Sequence, residues 1–111
     1  LKLPSKLEFI DDSLKKAFMK LKTGDSSEKE LHKFLCQAFE NIEDNAFCGI
    51  QVPKKLIPRY YKTKILAKNL WKYDLPKSWR LIYSIEGDSI VVQSIALEWM
   101  SHKEYEKRFK Y

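Results

Sequence analysis

The chain has 111 residues, 44% of them apolar and 14% aromatic, which is enough for a single domain with a modest core. It lacks the run of about 20 apolar residues that crosses a bilayer and the apolar segment of a secretory leader, and Cys36 and Cys48 match no metal or redox spacing. A soluble cytoplasmic protein with reduced thiols is the expectation, and its formal charge of +6 points to an anionic partner.

Leu7 to Ile10 reads as a short first strand. Asp11 or Asp12 can cap a helix to about Lys22, with Leu14, Ala17, Phe18 and Leu21 at helical spacing and Gly24 as the stop. A second helix begins at Ser26 or Ser27. Its stripe of Leu31, Phe34, Leu35, Ala38, Phe39 and Ile42 is one apolar face and is expected in the core. His32 is expected at the surface or half-buried beside that stripe. Between residues 45 and 68, Gly49, Pro53 and Pro58 interrupt any long element, and the stretch reads as a basic linker with one or two helical turns.

The charge is concentrated. Pro53 to Arg80 holds nine bases (Lys54, Lys55, Arg59, Lys62, Lys64, Lys68, Lys72, Lys77 and Arg80) against Asp74 alone. The segments before and after it each carry a net −1, so the whole excess belongs to one stretch suited to a polyanion.

Leu70 to Leu75 and Trp79 to Glu86 alternate as strands around a Pro76-Lys77-Ser78 turn. Gly87-Asp88 marks a second turn into a strand from Ser89 to about Leu97. If Leu75 faces Trp79, then Trp71, Tyr73, Leu81, Tyr83 and Ile85 share a face that buries against the helices. The other face carries Lys72, Asp74, Arg80, Ile82 and Ser84. Asp74 then lies across from Arg80, and Lys72 lies diagonally, about 7–8 Å away. This is either a plain cross-strand ion pair or a two-cation grip on phosphate. Beyond Ser101 the pattern turns helical, with Tyr105 and Phe109 four apart. His102, at the helix start, is either a residue without chemistry or an acid or base that works near neutral pH.

The run Asn69-Leu70-Trp71-Lys72-Tyr73-Asp74-Leu75-Pro76, then Trp79-Arg80-Leu81-Ile82-Tyr83, is followed by His102-Lys103-Glu104-Tyr105-Glu106-Lys107-Arg108-Phe109. In this order the two stretches resemble the archaeal-type branch of the RelE/ParE superfamily of type II toxins. The resemblance implies an α+β fold. Two N-terminal helices pack on a curved antiparallel sheet, formed by a short N-terminal strand and a three-stranded meander, and a short C-terminal helix follows.

It further implies a ribosome-dependent endoribonuclease that cuts messenger RNA by attack of the 2′-hydroxyl, without metal or other cofactor. Arg80 would then hold the transition-state phosphate. Lys72 would add charge or act as base, and His102 would act as acid or base, protonating the leaving oxygen. Tyr105 would stack on a base or orient the phosphate, and Lys103 would assist electrostatically. Lys54, Lys55, Arg59, Lys62, Lys64, Lys68 and Lys77 would grip RNA. Asp74 is an alternative base. Glu98 is another, although simple alternation from Gly87-Asp88 puts it on the face opposite Arg80 unless a bulge intervenes.

The resemblance also implies a cognate antitoxin as partner, gripping exposed aromatics around Trp99 and Tyr105. Two other functions stand beside this one. A ParE-like toxin would poison DNA gyrase by protein contact, and a decayed toxin would bind RNA without cutting it.

Overall fold

The computed structural model of the chain describes residues 2–87 and 92–109. Strand β1 (Lys6–Phe9) ends where the Asp11 carboxylate accepts the Leu14 amide at 2.8 Å, and this cap starts helix α1 (Asp12–Leu21). Helix α2 (Ser26–Asp44) is started by Asp25. Asp25 and Glu28 exchange side-chain and backbone hydrogen bonds, so two otherwise unpaired amides are satisfied at once. Its predicted stripe is the buried one: Leu31, Leu35, Ala38, Phe39 and Ile42 are in the core, with Phe34 packed at its edge. His32 is half-buried, its ring stacked on Phe18 at 4.5 Å.

The linker has more structure than its composition suggested. Strand β2 (Ile50–Gln51) pairs with the sheet, a 3-10 turn spans Lys54–Leu56, and helix α3 occupies Arg59–Thr63. Pro53 and Pro58 do not break these elements. Each sits just before one of them, where the absent N–H is not missed.

Strands β3 (Trp71–Asp74), β4 (Arg80–Gly87) and β5 (Val92–Met100) complete a five-stranded sheet in the order β1-β5-β4-β3-β2. The turn at Gly87-Asp88 and the start of the third strand at Ser89 fall on residues 88–91, outside the described residues. The expectation of an antiparallel sheet needs correction, because β1 runs parallel to β5 and the sheet is mixed. The reason is connectivity: α1 and α2 carry the chain across one face to the far edge, and the meander returns to meet β1.

The β3–β4 register is the predicted one, with Asp74 opposite Arg80, Tyr73 opposite Leu81 and Trp71 opposite Tyr83. Leu81 and Tyr83 are fully buried under α2. The Tyr83 hydroxyl donates to the Ala46 carbonyl at 2.7 Å and accepts the Gly49 amide at 3.0 Å, fixing the chain that leaves α2 to the sheet. The Asn69 side chain bonds both the amide and the carbonyl of Ile85, pinning the loop before β3 to β4 in the same way.

The second face of the sheet has a core of its own. Helix α4 (His102–Phe109) and the 52–70 segment bury Ile82, Leu97 and Met100 together with Val52, Ile57, Tyr61, Leu70, Tyr105 and Phe109. Arg80 and Lys72 therefore stand at the edge of a covered surface, not on an open one.

Candidate functional site

Three elements bring the predicted polar residues together. The start of α4 is set by a second capping box. The Glu104 carboxylate accepts the Ser101 amide and hydroxyl, each at 3.0 Å, and Ser101 Oγ accepts the Glu104 amide at 3.3 Å. Those bonds hold the Glu104 carboxyl below its ordinary range. They also fix the first turn, which carries His102 beside β4. Arg80 Nη2 lies 3.4 Å from His102 Nδ1. A guanidinium only donates, so Nδ1 accepts and the imidazole proton resides on Nε2, which faces the Glu106 carboxylate.

Asp74 lies between two cations. Arg80 Nε approaches Asp74 Oδ1 at 3.0 Å and Lys72 Nζ approaches the same oxygen at 3.6 Å. Lys72 and Arg80 are mostly shielded, with side chains 20% and 15% exposed, whereas Asp74 is 47% exposed. The diagonal placement of the two cations thus becomes convergence on one oxygen position. Below them lies the Tyr105 ring, 5.3 Å from Lys72 Nζ and 5.5 Å from the Arg80 guanidinium carbon.

Tyr105 corrects two expectations. It is 6% exposed and its ring is stacked on Phe109 at 4.4 Å, so it is neither an open stacking platform for a base nor an exposed grip for a partner. It seats the cations from beneath. Trp99 is half-buried against the helical core.

Glu98 corrects the alternation argument. Ile82 pairs with Glu98 while Tyr83 pairs with Ala96, so Leu97 is an extra residue and β5 is bulged there. The bulge turns Glu98 onto the Arg80 face. There it is held by Arg108 Nη1 at 3.2 Å, next to the buried Tyr61 hydroxyl. Burial first, and then the Glu98 charge, push the Tyr61 hydroxyl well above the ordinary phenol range.

The remaining bases divide into two groups. Lys54, Lys55, Arg59, Lys62, Lys64 and Lys68 are exposed along the segment that covers the second face, and Lys103 is exposed on the first turn of α4. Tyr61 anchors that segment by packing on Phe109 at 5.6 Å, and Arg108 lies over the Tyr60 ring at 4.2 Å. Lys77 is separate: its ammonium sits 2.5 Å from Glu30 of α2, on the helix-covered side. An apolar hollow of about 430 Å³ near Phe34, Tyr73 and Leu75 also lies on that side, with Asp74 at its border and neither Arg80 nor His102 in its lining.

Sequence reasoning missed Glu106, Arg108 and the Ser101–Glu104 cap. The S-x-x-E spacing and the four-residue step from His102 to Glu106 are the signals that reveal two of these. Arg108 has no such signal, because its partner is reached only through the β5 bulge.

The arrangement can hold an anionic oxygen between two cations with an imidazole beside it. No family model matches the chain, and neither characterised proteins nor solved structures give a match.

Proposed function

We propose that this protein is a RelE-type toxin of a type II toxin–antitoxin pair, a ribosome-dependent endoribonuclease that cuts messenger RNA without a metal. The 2′-hydroxyl of one nucleotide attacks the adjacent phosphorus. The O2′–P bond forms, the P–O5′ bond breaks, and the products carry a 2′,3′-cyclic phosphate and a 5′-hydroxyl.

The observation that carries the reading is the approach of Arg80 Nη2 to His102 Nδ1 at 3.4 Å, with Lys72 and Arg80 meeting on the same oxygen of Asp74. A phosphate entering there displaces Asp74 from the two cations. Arg80 then holds the charge that builds on the phosphoryl oxygens, through a planar fork that Lys72 supplements. His102 moves the proton: its Nδ1 is the accepting nitrogen in the resting tautomer, and once protonated it delivers to the departing O5′. The displaced Asp74 carboxylate is the alternative base for the 2′-hydroxyl. Glu98, tied to Arg108, is a more remote one. The exposed lysines of the 54–68 segment and Lys103 supply sequence-independent phosphate contacts.

The test is induced expression in cells with 5′ ends mapped on transcripts, wild type beside Arg80→Ala and His102→Ala. Cuts within codons, reduced by about 100-fold or more in either variant, are expected. DNA breaks with transcripts left whole would replace this reading with gyrase poisoning. Undiminished toxicity in both variants would leave only RNA binding, a reading that the ion pairing of Asp74 to both cations favours. The partner is tested separately, by copurification of the neighbouring small gene product and its suppression of growth arrest.

A further inference from the structure

Residues 52–70 hold six bases and no acid, and Tyr60 of α3 is exposed among them. Its ring is not loose. It packs steeply tilted against the buried Tyr61, at 5.3 Å and 79°, and Tyr61 in turn packs on Phe109 at 5.6 Å. The Arg108 guanidinium lies over the Tyr60 ring at 4.2 Å and is itself held by Glu98 at 3.2 Å. The ring is therefore ordered before any partner arrives, yet the residue remains 40% exposed. A tyrosine braced in this way offers a flat surface at little further entropic cost. Of the aromatic residues over this side of the sheet, Tyr61, Tyr105 and Phe109 are buried, and Tyr60 is exposed. Ile82 pairs with Glu98, so Glu98 lies diagonally from Arg80, about 7–8 Å away. Arg108 reaches Glu98 from α4 and Tyr60 lies against Arg108, so the ring stands beside the Arg80–His102 contact with Glu98 and Arg108 between.

We infer that Tyr60, braced by Arg108, is a stacking platform for an unpaired base of single-stranded RNA. Every base has a flat face, so such a platform takes any of them, while Arg59, Lys62 and the other exposed bases of the segment hold phosphates. An anionic lipid surface would meet the same charge, but a planar ring held in one orientation favours the face of a base. The stacked base belongs to a nucleotide beside the one whose phosphate meets Arg80. This platform deepens the ribonuclease reading and rests on it for its role, although stacking itself requires no cleavage.

The test measures affinity at one fixed salt concentration for two probes. The first is a 2′-O-methylated RNA hexamer, which lacks the nucleophile and stays uncut. The second is linear polyphosphate, which carries the charge and no bases. Tyr60→Leu keeps apolar bulk but loses the ring, and should weaken hexamer binding about 10-fold or more while leaving polyphosphate binding unchanged. Tyr60→Phe should bind both probes as the wild type does, because the hydroxyl takes no part in stacking. Adenylate and uridylate hexamers should both respond. Equal losses for hexamer and polyphosphate in Tyr60→Leu would make Tyr60 a support for the cations and overturn the platform. Hexamer binding undiminished in Tyr60→Leu, or absent in the wild type, would overturn it too. So would a hexamer affinity indifferent to Tyr60→Leu beside a loss of binding to phosphatidylserine vesicles, which would assign the ring to a lipid surface. Tyr60-dependent hexamer binding in a protein that cuts no transcript would support the platform and remove the nuclease. Transcript cleavage beside hexamer binding that ignores Tyr60→Leu would keep the nuclease and overturn the platform.

Discussion

Tyr83 shows how one hydroxyl can join two parts of this chain. It is buried, donates to Ala46 and accepts from Gly49. Burial is the main cause holding its phenol well above the ordinary range. Tyr83→Phe keeps the ring and strands a carbonyl and an amide, and should cost about 1–3 kcal/mol in urea unfolding. Gly49 is constrained by the same contact. A Cβ there would lie 2.6 Å from the Tyr83 hydroxyl and 2.7 Å from the Lys72 carbonyl, and the latter is backbone that cannot step aside. Gly49→Ala should therefore lower the melting temperature and, by pushing β3 at Lys72, weaken RNA binding more than Tyr83→Phe does. Equal RNA affinity in the two variants would separate Gly49 from the site. At the site itself, Arg80→Lys tests geometry against charge. The ammonium keeps the cation but loses the fork that meets Asp74 and His102 together, so RNA binding should survive while cleavage falls.

Helix α4 is the element on which His102 depends, and its first turn is held by Ser101 and Glu104. Ser101→Ala should cost about 1 kcal/mol and raise amide exchange in α4 before the rest of the chain responds. The pH dependence follows from the lowered Glu104 carboxyl. A folded-state value below the unfolded 4.5 means that its contribution is complete above 4.5 and is lost as pH falls through the folded value. Exchange in α4 should accelerate in that acid window, and Glu104→Gln should remove the acid dependence.

The elements legible in the sequence were those with strong local signals: the apolar stripe of α2, the aspartate cap of α1, and the β3–β4 alternation that set Asp74 opposite Arg80. Strand β2 was not legible because it is two exposed residues, Ile50 and Gln51, whose only strand character is their pairing with β3. The parallel β1–β5 pair joins residues nearly ninety apart, and no local pattern reports it. The bulge at Leu97 defeated simple counting for Glu98. At the site, residue identities were legible from motif and charge. The burial of Tyr105 was not, since it depends on α4 folding back over the second face.

Two cores on opposite sides of one sheet give the molecule two unlike surfaces. The helix-covered side draws on residues 1–52, with a net −1, and the other side is covered by α4 and by the 52–70 segment, which carries six bases and no acid. The protein should thus bind single-stranded RNA with one face, and salt reports how many bases take part. Binding should weaken linearly on a log–log plot of affinity against salt, with a slope of about −0.7 per phosphate neutralised. Replacing Lys62 and Lys64 by Gln, on the exposed segment over the second face, should flatten that slope by about 0.7 for each phosphate no longer neutralised. Lys77→Gln is the internal control. It removes the same charge from the same sequence window, but its ammonium is held by Glu30 on the helical side, so the slope should not change. If Lys77→Gln flattens the slope as much as the Lys62 and Lys64 replacements do, binding follows total charge, and the division of the molecule into an RNA face and a helical face is wrong. If only the second-face variants respond, charge position matters and net charge alone does not explain affinity.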